Sequence, residues 1–175
     1  DNYPEGKEEM ISLPNHPQKE ELGRRDVPMT REIYIDADDF AEVPPPKFFR
    51  LKPDSEVRLM GAYIMKCGEI IQNEDGSIKE LLCTYDPETR SGSGFEGRKV
   101  KGTIHWVDAK TAVKIKIRNY NYLMVPDENG ENQLNPASVE ETFGYAEPAI
   151  AEAQPGERFQ FFRHGYYIAD SKLTT

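Results

Sequence analysis

Cysteine is nearly absent from the 175 residues: Cys67 and Cys83 are the only two. They show no metal-binding spacing and no disulfide framework. Both lie in apolar, strand-like runs, so they read as buried free thiols of a cytosolic protein. Long apolar runs are also missing. Nothing approaches the roughly 20 residues that a membrane-spanning helix needs. The opening DNYPEGKEE has neither the basic start nor the apolar stretch of a signal peptide. The three histidines, His16, His105 and His164, are scattered and lack metal spacing. No glycine-rich phosphate loop appears, and no serine or cysteine sits in a nucleophile motif. Catalytic residues and a bound metal are therefore not expected.

Positive charge is in short supply too. There are 22 Lys and Arg against 31 Asp and Glu, for a net charge of −9. Nucleic-acid-binding domains are usually basic, so any such surface here has to be local. Acidic residues crowd positions 5–9, 36–42 and 140–147, whereas basic ones gather in Arg98-Lys99-Val100-Lys101 and Lys114-Ile115-Lys116-Ile117-Arg118. An acidic remainder would repel non-specific sites and leave the basic face selective.

Proline and glycine are plentiful, 13 of each, and they interrupt every candidate helical period. With 37% hydrophobic residues the chain has enough apolar material for a core. Short strands between frequent turns place it in the all-β class, of the β-barrel kind. Residues 1–30 read as irregular because Pro4, Pro14, Pro17 and Pro28 interrupt them. Strands are expected at 31–36, 48–51, 56–66, 69–72, 81–85, 99–107, 112–122, 138–145, near 149–153 and over 158–170. Asp38-Asp39-Phe40 resembles the start of a helical turn. Asn73-Glu74-Asp75-Gly76 reads as a hairpin turn, since Asp-Gly supplies the positive φ such turns require. Residues 90–94 and 127–133 read as loops. Pro44-Pro45-Pro46 is a stiff, extended connector and marks a boundary between two subdomains.

Two clusters carry possible recognition chemistry. Lys114, Lys116 and Arg118 alternate with isoleucines, so they share one strand face and are candidates for phosphate contacts, as are Lys99 and Lys101. Gln160, flanked by Phe159 and Phe161, offers a donor and an acceptor beside aromatic rings. His105 and Trp106 lie in an apolar strand and read as core.

Several blocks, taken together and in order, resemble the anticodon-binding region of glutaminyl-tRNA synthetases of the bacterial type. They are Asn15-His16-Pro17; Arg31 to Asp36 with Asp39-Phe40; Glu56-Val57-Arg58-Leu59 with Ala62-Tyr63; and Gly97-Arg98-Lys99-Val100-Lys101-Gly102 running into Ile104-His105-Trp106-Val107. Leu134-Asn135-Pro136, Ala146-Glu147-Pro148, and Phe159-Gln160-Phe161 with Arg163, Gly165-Tyr166 and Asp170 complete the set. The resemblance covers nearly the whole chain.

It implies two β-barrels, the distal one inserted into the proximal one. Residues 1–46 and 120–175 would form the proximal barrel, and 47–119 the distal one. It also implies a module that splays the anticodon bases into separate pockets and reads their edges. By the same resemblance Arg58 matches a residue at the first base. Arg50 matches a residue at the third, with Gln18 as a further candidate there. Gln160 and Arg163 match the pocket for the central uracil. Met60 and Phe49 stand where the family can carry basic residues, so contacts to the flanking bases would be fewer or would use stacking. The implied partners are tRNA(Gln) and a catalytic half. That half would use ATP and magnesium to attach glutamine through an aminoacyl-adenylate. Its ATP motifs are not in this sequence, which reads as a monomeric piece trimmed at both ends. Two alternatives remain open. One is the related domain of a glutamyl-tRNA synthetase of archaeal or eukaryotic type. The other is a protein-interaction β-barrel with no RNA role, which the acidic charge would suit.

Overall fold

The computed structural model describes residues 1–95 and 97–172; the C-terminal Leu173-Thr174-Thr175, where the sequence reads as trimmed, lies outside them. Fourteen strands are formed among the described residues: β1 Glu9–Pro14, β2 Arg24–Met29, β3 Ile33–Tyr34, β4 Glu56–Leu59, β5 Ile64–Gln72, β6 Ile78–Asp86, β7 Thr103–Ile104, β8 Val107–Asp108, β9 Val113–Tyr120, β10 Met124–Pro126, β11 Asn132–Leu134, β12 Val139–Ala146, β13 Arg158–Phe161 and β14 Gly165–Ile168. The only helical elements among them are short 3-10 turns, so the chain is all-β. None of these turns is long and apolar enough to cross a membrane.

One sheet has four strands, in the order β6-β5-β4-β7, with β4 and β7 parallel. The others are two-stranded pairs: β1-β2, β3-β8, β9-β12, β10-β11 and β13-β14. Hydrogen bonding closes none of these sheets into a barrel among the described residues.

The first thirty residues depart from expectation, since they contain the β1-β2 hairpin. Ile11 and Leu13 on one strand, and Val27 and Met29 on the other, alternate inward and are buried. Proline is tolerated there because each strand of a two-stranded pair has a free edge, where a missing N–H costs little. Residues 48–51 are not a strand. Lys47 turns the chain at φ 63, and Leu51 makes only an isolated parallel bridge to Phe40. The expected strand at 56–66 is broken by a tight turn between Leu59 and Tyr63. The one at 99–107 shrinks to β7 and β8, and the stretch near 149–153 is a 3-10 turn, Pro148–Glu152. The Asp-Gly hairpin forms as read, with Gly76 at φ 81 and the Asn73 N–H donating to Ser77 O at 2.8 Å.

A single buried cluster runs from Tyr3 to Trp106 and includes Ile11, Val27, Leu51, Val57, Leu59 and Ile104. Phe40 packs against it from one side of the proline run, and Leu51 belongs to it from the other. Packing therefore continues across Pro44-Pro45-Pro46. Trp106 is buried as expected, and its indole N–H donates to Met60 O at 3.0 Å. Asp108 is buried and satisfied: Thr30 N at 3.0 Å, Thr111 N at 3.0 Å and Thr111 Oγ1 at 2.8 Å donate to it. Cys67 and Cys83 face each other across the β5-β6 ladder as free thiols. Burial raises both, Cys83 to about 12, which keeps them protonated and unreactive.

Beyond Val107 the burial changes character. In the described part of 113–172, Ala146 is the only buried hydrophobic residue. This part is joined to the core by polar and aromatic ties. Tyr145 stacks on Tyr34 with centroids 4.7 Å apart, and Glu147 accepts from Arg25 at 2.5 and 2.8 Å. His105 lies 3.2 Å from the same carboxylate, so it is less enclosed than the sequence suggests.

Candidate nucleic-acid interface

The 3-10 turn Ala37–Asp39 is the hub of the site. It follows β3 and turns Asp39 inward, leaving its side chain 1% exposed. A buried carboxylate needs charged partners or it would not stay ionised. Two arginines supply them from distant parts of the chain. Arg163 Nη2 donates to Asp39 Oδ2. Arg50 Nε lies 3.5 Å from Oδ1, and Arg50 Nη1 donates to the backbone oxygen of Asp38 at 2.8 Å. Burial pushes the Asp39 carboxyl up and the two guanidiniums pull it down; the balance leaves it above the ordinary value.

Arg163 sits at the tip of the β13-β14 hairpin, at φ 65. A non-glycine residue in this left-handed region is uncommon. His164 Nε2, beside it, is 3.0 Å from Asp36 Oδ1, so two adjacent residues of the tip are tied to one turn. Among the described residues, β13 and β14 pair with each other and with no other strand. Gln160 lies on β13 opposite Tyr166; it is exposed, and its side chain makes no hydrogen bond among the described residues. Both guanidiniums have aromatic neighbours: Arg163 stands 5.2 Å from the Phe162 centroid and Arg50 5.6 Å from that of Phe48. Forked donors thus meet beside flat rings, and a free amide lies on the same hairpin, a set of groups that suits unstacked bases.

The other candidates lie apart from this hub. Arg58 on β4 donates from Nη1 to Thr89 O at 2.9 Å, Ser91 Oγ at 3.1 Å and Ala62 O at 3.4 Å, so one nitrogen of its fork braces the residues around it. Gln18 is exposed in the β1-β2 loop, with its backbone N–H donating to His16 Nδ1 at 3.1 Å. Lys99 is exposed, and Lys101 lies 5.3 Å from the exposed Phe49 ring. Lys114 and Lys116 share one face of β9 as expected, and both lie over Phe143 of β12, at 5.0 and 5.9 Å. Arg118, on the same face, pairs with Glu141 at 2.5 Å, as Lys116 does at 3.3 Å. Glu141 thus offsets part of that positive face. No group of three or more His, Cys, Asp or Glu that could hold a metal ion occurs among the described residues.

The position of Arg50 depends on a glycine in the Gly97 to Gly102 block. A Cβ at Gly102 would stand 1.8 Å from the Phe49 carbonyl oxygen, a backbone atom that cannot swing aside. Gly102→Ala is therefore expected to cost about 1–3 kcal/mol through overpacking, because the 47–50 segment must shift. A thermal melt would show a midpoint lowered by several degrees. An unchanged midpoint would mean that the two segments do not meet.

Sequence reasoning proposed Arg50, Arg163 and Gln160, but missed what joins them. Asp36, Asp39 and His164 stood in plain view as an acidic run and a lone histidine, and neither type of signal names a partner.

Comparison with known proteins gives a consistent result. Two family models, each described as the anti-codon binding domain of class I tRNA synthetases (E and Q), match residues 1–86 and 103–170. Among curated proteins, the glutamine--tRNA ligase of Clostridium perfringens is 48% identical over 99% of this chain and 33% of its own length. That of Nitrosomonas europaea is 50% identical over 97% of this chain and 32% of its own. That of Clostridioides difficile is 49% identical over 99% and 33%. The chain thus spans about a third of the length of the curated relatives it matches.

Proposed function

Because this chain belongs to the anticodon-binding domains of the class I tRNA synthetases for glutamate and glutamine, we propose that it reads the anticodon of tRNA(Gln) for a glutamine–tRNA ligase. The observation that carries this reading is the convergence of Arg50 and Arg163 on Asp39, with the free amide of Gln160 on the same hairpin as Arg163. Gln160 would read the central uracil, its amide matching both a donor and an acceptor on the base edge. Arg163 would close that pocket, and Arg50 would serve the third base, with Gln18 near it. Arg58 would reach the first base with whichever donor its internal bonds leave free. Lys99, Lys101, Lys114, Lys116 and Arg118 would meet phosphates. The names of the relatives favour glutamine over glutamate as the amino acid.

The rest of the enzyme would supply ATP, magnesium and the adenylate chemistry, in the cytoplasm. The proline run would mark the crossing between a proximal barrel (1–46 with 120–175) and a distal one (47–119).

The test is titration of the chain with the anticodon stem-loop of a glutamine tRNA at several salt concentrations. Affinity should fall steeply as salt rises. Changing the central uracil should weaken binding by about tenfold or more. Gln160→Ala should remove about that factor at the central base and leave discrimination at the flanking bases within about twofold. Equal loss at all three positions would overturn the pocket assignment. No binding even at low salt would overturn the RNA reading.

A further inference from the structure

We propose that Asp39 is the positioning residue of the base-reading face: it holds Arg163, and through it the Gln160 hairpin, in register with Arg50. The proposal rests on the reading of this face as an anticodon site and adds a residue that itself meets no base.

Asp39 is almost wholly buried, so it is not placed to touch RNA, and its two oxygens are divided between two arginines. Arg163 gives it one N–H of the five in its fork and makes no other side-chain hydrogen bond among the described residues. Arg50 leans on Asp39 and on the Asp38 carbonyl, which leaves its remaining donors open. Each guanidinium is thus fixed at one end and available at the other. A fixed fork loses less freedom on binding and presents its donors at a set angle, and a set angle is what separates one base edge from another. Among the described residues the β13-β14 hairpin shares no sheet with other strands. Two contacts pin its tip, the Arg163–Asp39 ion pair and the His164 ring nitrogen 3.0 Å from Asp36. The Tyr167 hydroxyl, donating to Asn119 at 3.3 Å, steadies it from β14. Without Asp39 the left-handed Arg163 would lose the contact that rewards its backbone geometry, and Gln160 would sit on a looser hairpin.

The experiment compares two stem-loops, one with the central uracil and one with cytosine there, on the chain and its variants. Asp39→Asn keeps the shape and removes the charge. It is expected to cut the uracil-over-cytosine ratio by roughly tenfold with the salt dependence unchanged, since Asp39 contacts no phosphate. In an Arg163→Ala background it should reduce that ratio no further, because the two act as one unit. A folded Asp39→Asn chain that keeps its ratio, or that gains or loses affinity equally for both RNAs, overturns the proposal. If Gln160→Ala lowers the ratio and Asp39→Asn does not, the anticodon reading survives and this inference alone fails. If the unaltered chain shows no preference, the anticodon reading itself has failed.

A second measurement needs no altered Asp39. In the unaltered chain, the guanidinium proton resonances of Arg163, assigned by their loss in Arg163→Lys, should stay slowly exchanging in the RNA complex. Their release on binding would mean that RNA displaces Asp39, and would overturn the positioning role.

Discussion

Trp106→Ala is expected to lower stability by about 3–5 kcal/mol, a large share of what a domain of this size has. The indole is 1% exposed and is among the largest fully buried side chains. Around it lie Leu59, Ile104 and the other members of the one core cluster. Truncation would remove the packed ring, open a cavity in the core cluster, and strip Met60 O of the N–H that now satisfies it at 3.0 Å. The measurement is denaturant unfolding, where the midpoint should fall with little change in slope. Trp106→Phe should lose less, since it keeps most of the apolar area and gives up only the hydrogen bond and part of the ring. A loss below about 1 kcal/mol for alanine would place Trp106 outside the core. Its neighbour His105 touches Glu147, so loosening the β7-β8 connection should also weaken the attachment of β12.

The sequence disclosed different parts of this molecule for different reasons. Strands with long-range alternation were legible: β9 was read from the Lys-Ile-Lys-Ile repeat, and the β5-β6 turn from Asp-Gly. Proline misled the reading of residues 1–30. A proline-rich stretch looks irregular by propensity, yet Ile11, Leu13, Val27 and Met29 fold it into a hairpin because tertiary burial outweighs local preference. Hydrophobic composition also misled at 48–51, where the apolar Phe48, Phe49 and Leu51 suggested a strand. The turn at Lys47, with φ 63, and the bond from Arg50 to Asp38 O leave it irregular, with only the isolated Leu51 bridge. In the candidate site, the residue types suited to reading bases could be picked out singly. What could not be read was pairing. Asp39 meets residues 50 and 163 at once, and no periodicity links positions so far apart. The same holds for Arg25, His105 and Glu147, which come from three separate elements. Charged residues on a sequence map look like solvated surface; only the folded chain shows which of them are shared.

That sharing makes stability depend on acid. Burial raises the Glu147 carboxyl, but the Arg25 fork and then His105 outweigh it and hold the carboxyl at about 2. A folded-state value below the unfolded one means that the ionised form is favoured by folding. The contribution is therefore full above about pH 4.5 and is lost as the pH falls toward 2. A shift of this size is worth about 3 kcal/mol, reduced to about 2 because Arg25 is partly open to water. Glu147→Gln should thus be about 2 kcal/mol less stable than the unaltered chain near neutrality. The difference should close steadily between about pH 4.5 and pH 2, as seen in denaturant midpoints measured along a pH series. A difference that stayed constant down to pH 3 would show that Glu147 is not held by charge. The consequence reaches the proposed RNA face, because residues 113–172 bury so little apolar surface of their own. Where hydrophobic packing is thin, shared carboxylates do the fastening. Glu147 secures the end of β12, and Asp39 secures the hairpin that carries Gln160. Acid that protonates the first should loosen this part of the chain before it melts the core around Trp106, and hydrogen exchange in β12 should accelerate at a higher pH than exchange in β4.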